Sequence, residues 1–154
     1  MKLYTLQRTQ KLPISLEKAW EFFSNPQNLA LITPPSLNLK PVSDVPDKMC
    51  PGMIVIYRVK PFLGLGINWV TEITHVQRPH FFVDEQRFGP YRFWHHQHRF
   101  SEIEGGIEAE DTVNYGLPFG PLGRLAHSLS VRSQLEKIFD YREQVLTDKF
   151  GKIE

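Results

Sequence analysis

Cysteine is nearly missing from this chain of 154 residues: Cys50 stands alone, so no intramolecular disulfide can form and the Cys clusters of structural zinc sites are excluded. Long apolar runs are missing as well. No stretch reaches the about 18 consecutive apolar residues that a membrane-spanning helix needs. The opening segment MKLYTLQRTQKLPI also lacks the continuous apolar core of a secretory signal. Nor is there an excess of either charge: 18 Lys and Arg oppose 17 Asp and Glu, giving a net charge of +1. That removes the long-range attraction on which binding to nucleic acid or to an anionic membrane depends. Repeats, linkers and low-complexity tracts are absent, so residues 1–154 are expected to form one domain with a single core. These absences predict a cytoplasmic protein with no nucleic-acid partner and no integral membrane association.

What is present is an ordinary globular composition, 41% hydrophobic and 23% charged, biased towards Phe (11 residues) and containing three Trp. LYTLQRTQKL alternates with a period near two and reads as a first strand ending before Pro13. Ser15 then caps a helix on which Leu16, Ala19, Trp20 and Phe23 fall at helical spacing, with Lys18 where a full capping box would have Glu. Asn25-Pro26 breaks that helix, and a second short one is expected before Pro34-Pro35. From about Leu37 to Leu117 the chain consists of β-branched and aromatic runs, such as MIVIYRV and INWVTEITHV, separated by short turn sequences. This is the pattern of an antiparallel meander. After Pro121, apolar residues recur every three or four positions through Leu135, Phe139 and Leu146 to Phe150, and Gly151 ends a long helix.

An antiparallel sheet followed by a long amphipathic helix has few compact arrangements. The predicted fold is α+β, a helix-grip arrangement: a curved antiparallel sheet of six or seven strands wrapped around the C-terminal helix, with two short helices after the first strand. Curvature leaves space between sheet and helix. The element order, together with PPSLNLKPV, GPYRFWHHQHRF, GGIEAEDTVNYGLPFGPLG and IFDYREQVLTDKFG, resembles ligand-binding SRPBCC proteins of the START-like superfamily over essentially the whole chain, most closely the polyketide-cyclase-like bacterial branch. The resemblance implies a hydrophobic cavity for a lipid, a polyketide or another small apolar molecule, and no single reaction.

GPYRFWHHQHRF places three of six histidines within four positions. With Gly105-Gly106 as the centre of a two-residue turn, Phe100 lies opposite Asp111, His98 opposite Val113 and His96 opposite Tyr115. One face then carries Trp94, His96, His98, Phe100, Asp111, Val113 and Tyr115, and the other His95, Gln97, Arg99, Thr112 and Asn114. The first face should meet the helix and cavity, which leaves His95 at the surface. A turn centred on Gly89-Pro90 sets Phe81, Val83 and Glu85 on the same inner face, and Trp69, Thr71 and Ile73 continue it.

The expected pocket is therefore lined by these residues with Leu135, Phe139 and Arg142 from the helix. Phe22, Phe23, Leu31, Ile54 and Ile56 are further candidates for its apolar wall. Arg142 interrupts the apolar stripe and should pair with Glu85 or Asp111, or meet an anionic ligand head. The primary reading is binding of a small hydrophobic molecule, with the histidines as polar anchors and no cofactor. An alternative is cyclase- or dehydratase-like acid/base chemistry by His96 or His98, with Asp111 orienting the imidazole and Tyr115 donating to a carbonyl. His96 and His98 are spaced to share an ion, with Asp111 as a third ligand, but no metal is expected. Exposed aromatics of PFLGLGINW could instead bind a protein partner. PFLGLG, Pro61 to Gly66, and GLPFGPLG, Gly116 to Gly123, are candidate gates of the cavity mouth.

Overall fold

In the computed structural model, residues 1–46, 48–62 and 65–153 are described. Strand β1 (Leu3–Leu12) leads into helix α1 (Leu16–Phe23), where the Ser15 hydroxyl accepts from the Lys18 amide as an N-cap. Ser15→Ala is expected to cost about 1 kcal/mol, read as a small shift in the denaturation midpoint. Two 3₁₀ turns follow, Pro26–Ala30 and Pro35–Leu37, the first capped by Asn25. Proline at the start of each fixes φ where no amide hydrogen is needed.

The meander comprises β2 (Lys40–Pro41), β3 (Ile54–Phe62), β4 (Leu65–Gln77), β5 (Phe81–Phe88), β6 (Phe93–Ile103) and β7 (Gly106–Gly116). The seven strands form one antiparallel sheet in the order β1-β7-β6-β5-β4-β3-β2. The C-terminal helix runs 31 residues. It consists of α2 (Gly120–Ala126), a π-turn over His127–Val131 and α3 (Arg132–Phe150), and Gly151 ends it at φ 93°. No helix among the described residues is long and apolar enough to cross a membrane.

Helix and sheet meet unevenly. Leu135 and Phe139 pack with Leu6, Trp94, Val113 and Tyr115 of β1, β6 and β7, while Leu146 joins Leu12, Trp20, Phe82, Phe100 and Ile107. Met53, just before β3, forms a third cluster with Val55, Tyr57 and Ile73 of β3 and β4, with no residue of the C-terminal helix in it among the described residues. One half of the sheet is thus pinned to the helix and the other curves away. The gap between them is the cavity.

Two registers differ from those expected. The β6–β7 turn centres on Glu104-Gly105 rather than Gly105-Gly106, with Gly105 at φ 82°, so His98 faces Asp111, His96 faces Val113, Phe100 faces Ala109 and Trp94 faces Tyr115. A shift of two residues preserves the faces. The β5–β6 register is shifted by one. Phe82 pairs with His98 and Asp84 with His96, so Phe81, Val83 and Glu85 point to the outer face. The cause lies in the connection, which is wider than a two-residue turn at Gly89-Pro90. The Gln86 side chain bridges it, donating to the Tyr91 carbonyl (2.6 Å) and accepting from the Tyr91 amide (3.2 Å). A side-chain amide here replaces a rung of the backbone ladder.

On β3 it is Val55, Tyr57 and Val59 that are buried inward, whereas Ile54 is exposed; Leu31 is likewise exposed and Ile32 takes its place. Leu63 and Gly64, in the first candidate gate, lie outside the described residues. The second gate spans the last residue of β7, a three-residue connection and the first turn of α2.

Candidate functional site

A cavity of about 140 Å³ lies between α3 and the sheet. Its walls are mostly apolar: Val55, Val59, Trp69, Ile73, Leu135 and Phe139 are representative, and Phe22, Phe23 and Ile32 close the end nearest α1. Tyr57 and Tyr91 also line it, and burial raises both phenols far above their usual range, so they remain neutral. One side is different. Asp84, His96, His98 and Arg142 face the same space.

These four side chains and Asp111 form a closed polar cluster. His96 Nε2 is 2.9 Å from Asp111 Oδ1, and His98 Nε2 is 2.8 Å from Asp84 Oδ2. His96 Nδ1 lies 3.2 Å from Asp84 Oδ2, and His98 Nδ1 lies 2.9 Å from Asp111 Oδ1. Arg142 donates from Nη1 to Asp111 Oδ2 at 3.3 Å. Its guanidinium also stands 4.6 Å above the Phe139 ring. Trp94 Nε1 donates to Asp84 Oδ1 at 3.3 Å, and the His98 ring stacks on Phe82 at 4.0 Å between centroids.

Burial alone would push the Asp111 carboxyl up, but Arg142 and the two imidazoles outweigh it and hold the group well below the ordinary carboxylate range. Asp84 behaves the same way: burial opposes ionisation, and His96 and His98 reverse the sign. For His96, burial disfavours the charged ring, yet Asp84 and Asp111 together raise its pKa above that of free imidazole. The result is a cluster of fixed charges held in a largely apolar shell, where each interaction is stronger than in water. Two buried nitrogens in it, His98 Nδ1 and Arg142 Nε, have no aligned hydrogen-bond partner among the described residues.

Of the residues expected to form the site, Trp69, Trp94, His96, His98, Leu135, Phe139 and Arg142 line the cavity. Asp111 stands behind the histidines rather than in the wall. Phe100 and Val113 are core residues, buried in two separate apolar clusters. Tyr115 is turned elsewhere: its hydroxyl lies 2.9 Å from His127 Nε2, and that ring stacks on Tyr4. The His/Asp/Tyr set of the catalytic alternative is therefore not assembled. Phe81, Val83 and Glu85 lie on the outer face, where Glu85 pairs with Arg87 and leaves Asp111 as the partner of Arg142. His95, also outside, is 3.8 Å from Glu85.

Sequence reasoning missed Tyr57 and Tyr91 in the wall and, of the polar cluster, Asp84. A signal for Asp84 exists: the register that places Asp84 beside His96 also places Phe82 beside His98, giving one opposite-charge pair and one aromatic pair on adjacent rungs.

No protein-family model matches the chain, and no curated protein matches it. Solved structures do. The chain superimposes on protein Ms6760 from Mycobacterium smegmatis with a TM-score of 0.65 at 20% identity, covering 97% of this chain and 98% of that one. For protein CV1439 from Chromobacterium violaceum the values are 0.73, 12%, 97% and 99%. For Ara h 8.0201 they are 0.62, 14%, 96% and 99%. These likenesses run end to end at low identity, so they fix the architecture: the chain has the α+β fold of these structures, a curved seven-stranded antiparallel sheet around a long C-terminal helix.

Proposed function

We propose that this protein binds a small, mainly apolar molecule carrying one oxygen-bearing head group, held in the cavity between sheet and helix. The observation that carries this reading is the asymmetry of the cavity wall: it is mostly apolar, its other polar groups are neutral, such as Asn28, Thr33, Thr71 and Gln134, and Asp84, His96, His98 and Arg142 meet in one cluster. Such a wall buries a hydrophobic body and fixes its orientation through a few polar contacts. Arg142 Nε, buried without a partner among the described residues, is where a ligand oxygen adds most, because a satisfied buried donor replaces an unsatisfied one.

Size narrows the class. A cavity of about 140 Å³ is close to the ~150 Å³ engineered cavity that accepts benzene. The body of the ligand is thus on the scale of one or two aromatic rings, or a short branched chain, rather than a long diacyl lipid. Aromatic carboxylic acids, phenols and small cyclised ketides meet both requirements. A fluorescent apolar probe displaced by such compounds, with Trp94→Ala weakening binding about tenfold, is the expected result. Failure of a broad aromatic and short-chain panel to displace the probe or shift the melting temperature would contradict the reading.

A second reading has one specific observation behind it. The Asp84–His98 contact at 2.8 Å faces the cavity and has the form of an acid/base pair, suited to enolisation or dehydration of a bound carbonyl compound. Turnover of a bound ligand, lost in His98→Gln with binding retained, would distinguish catalysis from storage or transport.

A further inference from the structure

The polar wall of the cavity holds more lone pairs than protons. A neutral imidazole has one N–H and one lone pair. If His96 donates from Nε2 to Asp111 and His98 donates from Nε2 to Asp84, the two remaining lone pairs sit on the Nδ1 atoms. They lie 3.2 Å from Asp84 Oδ2 and 2.9 Å from Asp111 Oδ1, lone pair against anionic oxygen. His98 Nδ1 is also buried without an aligned partner. Protonating His96 alone fills one lone pair and leaves that of His98 Nδ1 against Asp111 Oδ1; protonating both rings would fill both, but it would set two imidazolium ions 3.8 Å apart between centroids, next to the buried Arg142. At such a separation in a partly desolvated site, like-charge repulsion reaches several kcal/mol, about 4 at an effective dielectric of ~20.

A single divalent cation resolves both conflicts. The geometry points to a transition-metal site in which Asp84 Oδ2, His96 Nδ1 and His98 Nε2 are the ligands and Asp111 is the acceptor behind both imidazoles. One ligand atom from each of Asp84, His96 and His98 lies within 4.8 Å of the others. Asp84 Oδ2 is 3.2 Å from His96 Nδ1 and 2.8 Å from His98 Nε2. Tetrahedral bonds of about 2.0–2.1 Å place ligand atoms about 3.4 Å apart, so the two distances to Asp84 Oδ2 need grow by only about half an ångström or less.

With His98 Nε2 on the ion, its proton moves to Nδ1, which lies 2.9 Å from Asp111 Oδ1 and donates to it once the ring turns into line. His96 already donates to the same oxygen from Nε2. Both rings acquire the carboxylate behind them that orients metal-bound histidines. Arg142, paired with Asp111, keeps the charge of that carboxylate balanced. Asp84, His96 and His98 line the cavity and Asp111 does not, so the open coordination positions face the ligand space. Two histidines and one carboxylate with open positions suit Zn²⁺ or Fe²⁺. The head group of the ligand is then an oxygen donor to the ion: a carboxylate, a phenolate or an enolisable carbonyl.

The role of the ion in ligand binding rests on the cavity reading above, but the ion itself is testable without a ligand. Tag-free protein stripped with a chelator would be titrated with Zn²⁺ calorimetrically and with Co²⁺ by visible absorption and by quenching of Trp94, whose indole contacts Asp84. One ion per chain is expected. Asp84→Asn and His98→Gln should weaken binding about a hundredfold and Asp111→Asn by about 10–100-fold, while His95→Ala on the outer face leaves it unchanged. Far-UV circular dichroism checks that each variant folds, and either Asp84→Asn or His98→Gln alone suffices as the test. Sub-stoichiometric uptake, equal affinity in a folded Asp84→Asn variant, or a loss in His95→Ala equal to that in His98→Gln would each overturn the site. Probe binding to the chelator-treated protein is measured separately, so a cavity that binds its probe without taking up Zn²⁺ rejects the ion and leaves the cavity reading standing.

Discussion

Replacing Arg142 with Met is expected to destabilise the fold by about 3–5 kcal/mol, since it removes one partner of a buried ion pair and leaves the other charge uncompensated. Arg142 is buried on α3, and its bond to Asp111 is the only cation contact that this carboxylate has beyond the two histidines among the described residues. Methionine preserves much of the length and the packing against Phe139, so the loss reports the charge rather than a void. For a chain of this size that is a fall in melting temperature of about 10 °C or more. Adding Asp111→Asn should recover part of the loss, because the orphaned charge goes with it, and a double-mutant cycle would show the two changes to be strongly non-additive.

The pH dependence has a definite sign. The folded-state pKa of Asp111 lies below its unfolded value, so its contribution is fully present above about pH 4 and is lost as the pH falls towards the folded value. The gap between wild type and Arg142→Met should therefore narrow in acid. A gap that stays constant from pH 7 to about pH 3 would mean that Asp111 is not the group responsible.

Leu135→Trp is expected to abolish ligand binding while leaving the protein folded. Leu135 lines the cavity from the helix side, 2% exposed, at the point where α3 crosses Trp94 and Val113. An indole here occupies much of the cavity's 140 Å³. Excluding about 100 Å² of apolar ligand surface removes about 2.5 kcal/mol, close to a hundredfold in affinity. Overpacking costs about 1–3 kcal/mol in stability, within what a domain of ordinary stability tolerates. The measurement is displacement of the fluorescent probe alongside thermal denaturation. Unchanged affinity in a folded variant would place the ligand elsewhere.

How far the sequence revealed this site depends on which features are local. The helix boundaries follow from single residues: Ser15 caps, Pro26 interrupts and Gly151 ends. The faces of β6 and β7 follow from alternation along each strand, which a shift of two residues at Glu104-Gly105 does not disturb. The face of β5 could not be read this way. FFVDEQRF has apolar residues on both faces at its start and polar residues on both from Asp84 to Arg87, so only the turn could decide. Gly89-Pro90 looks like a tight turn, and the Gln86 bridge to Tyr91 that widens the connection involves a side chain, which backbone turn rules do not include. The same limit hid the direction of β3, where Ile54 and Ile56 are as apolar as Val55 and Tyr57.

The Gln86–Tyr91 connection governs the chemistry of the cavity through its parity. Surface loops ordinarily absorb insertions and deletions with little effect, yet this one sets which alternate residues of β5 face the ligand. Removing or adding a single residue there turns Asp84 out of the cavity and brings in Val83 or Glu85, changing the character of the wall without touching any residue in it. Changes of two residues leave the row of Phe82 and Asp84 in place. Length variation in this loop is thus divided into two kinds: even steps reshape the mouth of the cavity, and odd steps replace its reactive side.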